Sequence, residues 1–333
     1  MKKKLKVLRL ELITDYTTAP YNNFTLPTKK KYDVQTISFN SNLKLEDDSF
    51  FNSEGSITSF IRLLNQNINR QNFDVIHIHS VHCGIFFLLN EILNFRFKNF
   101  RKSILTIHNS IENYSFRNLI LFYINSFLVN KLVFCSKSSF NSFPFWIRNS
   151  KKSYVIQNGI SIKKKNIKNR SIDFIYVGRL INIKNIELTL KFFKNIKGNC
   201  HIIGDGPLKV LVTDFCKKYN HIHYHGKLPR DSVYKYFSKS NYFVSLSKTE
   251  GLPITLLESI ILGCNPIVSN IDPHKEILGE DFSLVDLNSD VGLANFLNSP
   301  KDFNLPQSKR KSIIDMFSSE RMLESYHNLY TSL

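Results

Sequence analysis

Short apolar runs alternate with longer amphipathic stretches along the whole chain. In the first half, Val7–Ile13, Val34–Phe39, Asp74–His79, Ile104–His108, Leu132–Cys135 and Tyr154–Ile156 read as strands. Ile57–Asn69, a stretch around Ile85–Leu93 and Phe116–Val129 carry the helical period between them. The second half repeats the rhythm. Strands are predicted at Phe174–Val177, His201–Ile203, His221–Tyr224, Tyr242–Ser245 and Pro266–Ser269, with helices such as Leu208–Lys218, Ser232–Ser240 and Ile254–Leu262 in the gaps. Strands that are apolar throughout must be covered on both faces, which is the pattern of parallel sheets sandwiched by helices. The expected fold class is α/β, with two Rossmann-like doubly wound domains facing a cleft.

A polar run, Lys163-Lys-Lys-Asn-Ile-Lys-Asn-Arg170, separates the two blocks and lacks apolar periodicity, as an interdomain linker does. The expected division is a first domain over 1–160, a linker over 161–170, a second domain over 171–315 and a terminal helix over 316–333. That helix is expected to open at Ser318, an N-cap residue followed by Glu320. In doubly wound sheets ligands bind beyond the carboxyl ends of the strands, so candidate residues belong in the loops that follow strands.

Composition narrows the class. Hydrophobic residues make up 42% and charged residues 22% of the 333, which is the balance of a folded protein and not of a disordered one. The five cysteines are scattered and form no CxxC pair, which points to a reducing compartment and excludes a disulfide framework or a zinc site. Arg9, Glu11 and Asp15 interrupt the apolar run that a secretory signal needs, and Leu119–Leu128 is too short to span a bilayer. A cytoplasmic location is expected, with peripheral contact at the inner membrane face as an added expectation from charge. The net charge is +18, and residues 1–169 hold 25 Lys and Arg against 10 Asp and Glu. That excess suits anionic lipid, a phosphate-bearing substrate or nucleic acid, or is simply a solvated lysine-rich face. No helix-turn-helix or RNA-recognition signature accompanies it, so no nucleic-acid partner is expected.

Three stretches carry candidate chemistry. Ser247-Lys-Thr-Glu250-Gly-Leu-Pro-Ile-Thr-Leu-Leu-Glu258 follows an apolar strand and opens a helix, placing Glu250 in the loop and Glu258 on the helix. A helix N-terminus offers free N–H groups and a positive dipole end, which suits a diphosphate. A carboxylate beside it can accept from sugar hydroxyls; equally, Glu250 could cap the helix and Glu258 lie on its polar face. Tyr176-Val-Gly178-Arg179-Leu-Ile-Asn-Ile-Lys184 ends a strand in a glycine and sets two cations beyond it, suited to a diphosphate or to the solvent. Ile203-Gly204-Asp205-Gly206-Pro207 is a glycine turn that misses the GxGxxG spacing, so no nicotinamide cofactor is expected. His77 and His79 share a strand face without a third ligand nearby, and His221, His223 and His225 repeat the pattern; no metal is expected at either.

The ordered set of motifs resembles the retaining glycosyltransferases of the GT-B fold, family 4 (glycosyl transferases group 1). Glu250 and Glu258 stand at that family's glutamate-x7-glutamate spacing. "VIQNGI", "FIYVGRLINIKNI", "HIIGDGP", "HIHYHGKL" and "HKEIL" follow the family's blocks in order, as do "DVIHIHS", "LTIHN" and "VFCSKSSF" in the first half. The resemblance implies an acceptor-side first domain and a nucleotide-sugar-binding second domain. It implies donor contacts from Gly178, Arg179, Lys184, Gly204, Lys227, Leu228, Glu250, Gly251, Leu252, Pro253 and Glu258. Arg179 and Lys184 would neutralise the diphosphate, Glu250 would hold the transferred sugar, Glu258 the ribose, and His108 would lie near the reactive carbon. His79 and Asp15 fall on the acceptor side. No cofactor or metal is implied beyond the nucleoside-diphosphate sugar, UDP-linked in preference to GDP-linked. The acceptor implied is a glycan or a lipid-diphosphate-linked glycan, as in surface polysaccharide synthesis. The chain departs from the family pattern in the segment 15–33, which has no glycine, at Gln157, and before Glu276, where a Gly-Gly is missing. A basic nucleic-acid-binding module and an inactive partner subunit are the alternatives; the intact Arg179, Lys184, Glu250 and Glu258 argue against the second.

Overall fold

The computed structural model describes residues 4–15, 28–29, 31–43, 48–162, 170–287 and 303–333. Most of the expected linker (163–169) and most of the glycine-free segment after the first strand (16–27) lie outside the described residues. The chain forms two compact units, Met1–Gly159 with Ser319–Leu333, and Ile160–Ser318.

The first unit is built on seven parallel strands: β1 Lys6–Thr14, β2 Asp33–Ser41, β3 Phe50–Asn52, β4 Val75–Ile78, β5 Ser103–Ile107, β6 Lys131–Phe134 and β7 Ser153–Val155. Their order is β3-β2-β1-β4-β5-β6-β7. Helices α1 (Ile57–Arg70), α2 (Val81–Leu93) and α3 (Phe116–Leu128) are followed by the shorter α4 (Lys137–Ser142) and α5 (Phe145–Arg148). Serines start the three long helices: Ser56, Ser80 and Ser115 accept from the N–H groups of Ser59, His82 and Asn118.

Neighbouring strand residues point to opposite faces, and here each face has its own core. Leu8, Leu10, Ile76, Ile78, Leu105, Ile107 and Phe134 pack with Phe60, Phe87 and Phe122 of α1 to α3. Val7, Val34, Val75, Ile104 and Val133 pack instead with Met322, Tyr326, Leu329 and Tyr330 of the C-terminal helix Ser319–Thr331. Burial on both faces is why these strands are nearly continuous in apolar residues.

The second unit has five parallel strands: β8 Ile172–Val177, β9 Cys200–Ile203, β10 Ile222–Tyr224, β11 Ser240–Ser245 and β12 Asn265–Val268. Helices α6 (Ile186–Asn195), α7 (Lys209–Lys218), α8 (Arg230–Lys239), α9 (Ile254–Ile261), α10 (Asp272–Leu278) and α11 (Gln307–Met316) alternate with and follow them. The order β10-β9-β8-β11-β12 reverses direction between β8 and β11, which is the switch point where such sheets bind ligands. Helix α9 is the most buried, with Leu256, Leu257, Ser259 and Ile260 all hidden. Gly263, just past its end, holds φ +95°, the left-handed turn that a side chain resists.

Candidate functional site

The carboxyl-end loops of β8, β9 and β10 are laced together by backbone bonds. Gly178 N–H donates to Ile203 O at 3.0 Å, Leu180 N–H to Asp205 O at 2.9 Å and Gly204 N–H to Gly226 O at 2.9 Å. Gly204 holds φ +152°, and a Cβ there would run into the Gly178 carbonyl oxygen. A side chain on Gly178 would meet the Tyr176 hydroxyl, which donates to the Arg179 carbonyl at 2.9 Å. The two glycines thus permit two loops to lie side by side, a packing reason that the sequence pattern alone did not distinguish from ligand approach. Lys227 is exposed and Leu228 half-buried, on the short connection from Gly226 to α8.

The loops after β8 and β11, at the switch point, are joined at two levels. Lys248 N–H donates to Ile183 O at 2.9 Å, and the Lys184 ammonium bonds both oxygens of Glu250. Glu250 Oε1 also accepts from the Ser247 hydroxyl at 2.8 Å. Burial alone would raise the Glu250 carboxyl; the adjacent Lys184 charge, its bond and the Ser247 hydroxyl outweigh that and hold it below the usual range. Ser247 is itself braced, its carbonyl accepting from Ser269 Oγ at 2.6 Å. Gly251, Leu252 and Pro253 are buried behind Glu250, and Pro253 is the N-cap of α9. The first-turn N–H groups of α9 therefore open beside the Lys184–Glu250 pair. Arg179 is exposed and has no ion-pair partner among the described residues, so one of the two expected cations is free and the other is engaged.

His274, on α10, was not singled out in the sequence. It is fully buried, its Nδ1 lies 2.8 Å from the Ser269 carbonyl, and burial lowers its pKa to about 4. A carbonyl only accepts, so Nδ1 carries the proton and the ring is neutral.

Glu258 lies one turn further along α9, buried to 3% exposure. Its Oε1 accepts from the Arg230 guanidinium and from Tyr234 Oη at 3.1 Å, while Arg230 Nε donates to the same Tyr234 oxygen at 2.6 Å. Oε2 takes part in neither bond. Burial lifts the Glu258 carboxyl against the opposing pull of Arg230, and Glu258 in turn holds Arg230 protonated. Arg230 was missed because α8 begins there, two residues before the expected start at Ser232; Tyr234 lies inside the expected helix but was not singled out. The available signal was Pro229, which caps the helix.

The remaining candidates lie in the first unit. Arg9 is fully buried on β1, 3.3 Å from Glu11 Oε1, and its Nη2 lies 2.5 Å from His79 Nε2. His79 Nδ1 lies 3.1 Å from His108 Nε2. A guanidinium only donates, so His79 Nε2 accepts, and the neutral ring carries its proton on Nδ1. That proton goes to His108 Nε2, which leaves the His108 proton on Nδ1. Burial, with the Arg9 charge behind it, lowers His79 well below its usual range and His108 to about 4. His77, one step deeper on β4, is bonded to Tyr330 Oη at 2.6 Å and to Thr106 Oγ1 at 2.7 Å. Arg9, Glu11 and His77 act as structural parts of this array, and alternation on β1 and β4 is the signal that places them on one face. Asp15 follows the end of β1 and is half-buried. Among the described residues no group of three His, Cys, Asp or Glu side chains could hold a metal ion. No helix among them is long and apolar enough to cross a membrane.

Residues 158–299 match the family glycosyl transferases group 1. The O-antigen biosynthesis glycosyltransferase WclY of Escherichia coli is 28% identical over 288 residues, covering 78% of this chain and 80% of that one. The capsular polysaccharide biosynthesis glycosyltransferase CapH of Staphylococcus aureus is 31% identical over 242 residues, covering 66% of this chain and 64% of its own. Among solved structures, Anabaena HepE in complex with UDP-glucose superposes with a TM-score of 0.79 at 13% identity, over 99% of this chain and 100% of that chain. Sucrose-phosphate synthase from Thermosynechococcus elongatus gives 0.78 at 14% identity, over 99% of each. The chain thus has the GT-B fold of paired Rossmann-like units, and its residues 158–299 are a glycosyl transferases group 1 domain.

Proposed function

We propose that this chain is a retaining, metal-independent glycosyltransferase of family 4. It would move a sugar from a nucleoside-diphosphate donor to a glycan or lipid-diphosphate-linked glycan in surface polysaccharide synthesis. The observation that carries the reading is the Lys184–Glu250 pair at the β8/β11 switch point, beside the α9 N-terminus. When a diphosphate arrives, Lys184, Arg179 and the helix N-terminus supply positive charge for it. Lys184 then shares its charge with phosphate, and Glu250, already held ionised, is released to accept from sugar hydroxyls. Glu258 receives the ribose through Oε2 while Arg230 and Tyr234 fix its other oxygen. Gly178, Gly204 and Gly251 to Pro253 bring backbone to the diphosphate and sugar, and Lys227 and Leu228 flank the base.

His108 contributes from the first unit, as a neutral ring with its Nδ1 proton available to a sugar oxygen; His79 orients it, and His79 and Asp15 belong to the acceptor side. Stabilising the departing diphosphate is the main catalytic contribution, so no protein nucleophile at covalent distance is needed. The acceptor enters on the side from which the diphosphate leaves, and configuration is retained. WclY and CapH are named for O-antigen and capsule synthesis, which supports an acceptor of that class. The HepE complex with UDP-glucose makes a UDP-linked sugar the first donor to test. A lipid-linked acceptor would place the enzyme at the cytoplasmic face of a membrane.

The test is thermal-shift measurement of the purified chain against UDP-, GDP-, ADP- and CMP-sugars, with Lys184→Ala and Glu258→Gln alongside. A shift with one nucleotide class that both variants lose supports the donor site. A folded wild-type chain that responds to none of the donors overturns it.

A further inference from the structure

Large apolar side chains that face solvent are concentrated in one part of the first unit. On α3, Phe116 and Phe127 are each 81% exposed, and Ile120 and Ile124 between them are 45% and 44% exposed. These four positions fall within one narrow stripe of a helix, while the buried Phe122 and Asn125 face inward. Helix α2 packs beside α3 on the same side of the sheet and ends in Leu93, 76% exposed. Phe95, just beyond, is 81% exposed, holds φ +53°, a conformation that costs a bulky residue energy, and meets Phe97 edge to face, ring centroids 6.3 Å apart. Helix α5 anchors to the same core through Ile147 and turns Trp146 outward at 66% exposure. An apolar patch of this extent on one face marks an interaction surface.

Charge identifies the occupant. Between residues 89 and 152 the chain has ten Lys and Arg and only two acids, Glu91 and Glu112. Glu91 is buried and bonded to Arg96, so Glu112 is the only exposed acid in that span. The exposed cations Lys98, Arg101, Arg117, Arg148 and Lys151 therefore flank the apolar stripe almost unopposed. A second copy of the chain would set like charge against like charge. An anionic bilayer instead accepts aromatic and aliphatic side chains into its interface and places its headgroups against the cations.

We propose that the outer face of α2, α3 and α5 is a membrane-docking surface that inserts Phe116, Phe127 and Trp146 into the interface of an anionic bilayer, with the flanking cations on its headgroups. This goes beyond the donor-site reading and stands or falls separately, since no nucleotide sugar enters its test. Binding has two separable parts: charge, which salt removes, and insertion, which salt leaves in place.

Trp146 is the only tryptophan, so its fluorescence reports the surface directly in the full chain. Vesicles of phosphatidylglycerol with phosphatidylcholine are expected to shift its emission to the blue and shield it from iodide. Vesicles of phosphatidylcholine alone are expected to do so weakly. Part of the anionic-vesicle binding should persist in about 1 M salt, where the screening length is about 3 Å. Phe116→Glu and Phe127→Glu should each weaken co-sedimentation with vesicles by about tenfold. Arg117→Ala with Arg148→Ala should weaken it only at low salt. Both phenylalanines are exposed, so the variants should keep the wild-type melting temperature. Unchanged Trp146 emission with anionic vesicles at low salt overturns the proposal. So does undiminished binding by the Phe→Glu variants, or a dimer in sedimentation velocity that those variants dissolve.

Discussion

In the second unit Lys184 and Arg230 each sit on a carboxylate, whereas in the first unit Arg9 is shared between a carboxylate and an imidazole. The consequences differ in sign. Lys184 keeps Glu250 ionised in a largely buried loop, ready to exchange one partner for another. Burial, with the Arg9 charge added to it, keeps His79 and His108 uncharged, so that the first unit offers a neutral imidazole N–H where the second offers full charges. One arrangement suits a charged diphosphate and the other an uncharged hydroxyl. A buried cation therefore does not by itself mark an anion site; what it is bonded to decides what it can receive.

Substitutions that separate the two cases sharpen the comparison. The largest effect is expected on catalysis at the second unit. Lys184→Ala should lower transfer from a UDP-sugar by about 10²–10³-fold, the loss typical of removing one preorganised donor from a transition-state charge. Product formation at saturating acceptor measures it, and near-normal turnover would detach Lys184 from the chemistry. Next comes stability in the first unit. Arg9→Met leaves Glu11 buried without its guanidinium and should cost about 3–5 kcal/mol in denaturant unfolding. Adding Glu11→Met should restore most of the loss; a double variant as unstable as the single would show that charge pairing is not what holds this strand.

Acidification should also destabilise the fold. His108 and His274 are held near pKa 4, below their ordinary 6.5, so the unfolded chain binds more protons than the folded one between those values. Stability is then complete above about pH 6.5 and declines as pH falls toward about 4. Urea midpoints across that range test the sign, and a midpoint that rises on acidification would refute it. The smallest effect belongs to Tyr234→Phe, which removes one hydroxyl between Arg230 and Glu258 but leaves their ion pair in place. A loss of about 1 kcal/mol is expected, with the preference among nucleotides unchanged.

Much of the frame was legible from the chain because strands buried on both faces have no polar alternation to hide them. The two-block rhythm, the Gly263 turn and the positions of Glu250 and Glu258 all follow from local pattern. Strand β3, Phe50–Asn52, was not legible: it is three residues long and is defined by pairing to β2 at the sheet edge. Nor were Arg9 and Glu11, which interrupt an apolar run as surface residues would. Only the register Arg9 with His77, and the C-terminal helix over that face, shows that they are interior. Arg230 was hidden by a two-residue error in a helix start, the least determined feature of any pattern. The engagement of Lys184 by Glu250 depends on two loops 66 residues apart meeting at the switch point, which spacing cannot reveal.

The central claim is that Lys184, Glu250 and Glu258 form a donor site for a nucleoside diphosphate sugar. Calorimetric titration of UDP and of uridine into the wild type and Lys184→Ala tests it most directly. The account predicts that UDP binds the wild type, that it binds Lys184→Ala at least about tenfold more weakly, and that uridine does not distinguish the two. Equal affinity of UDP for both proteins, or no binding of any nucleoside diphosphate by the wild type, would contradict it.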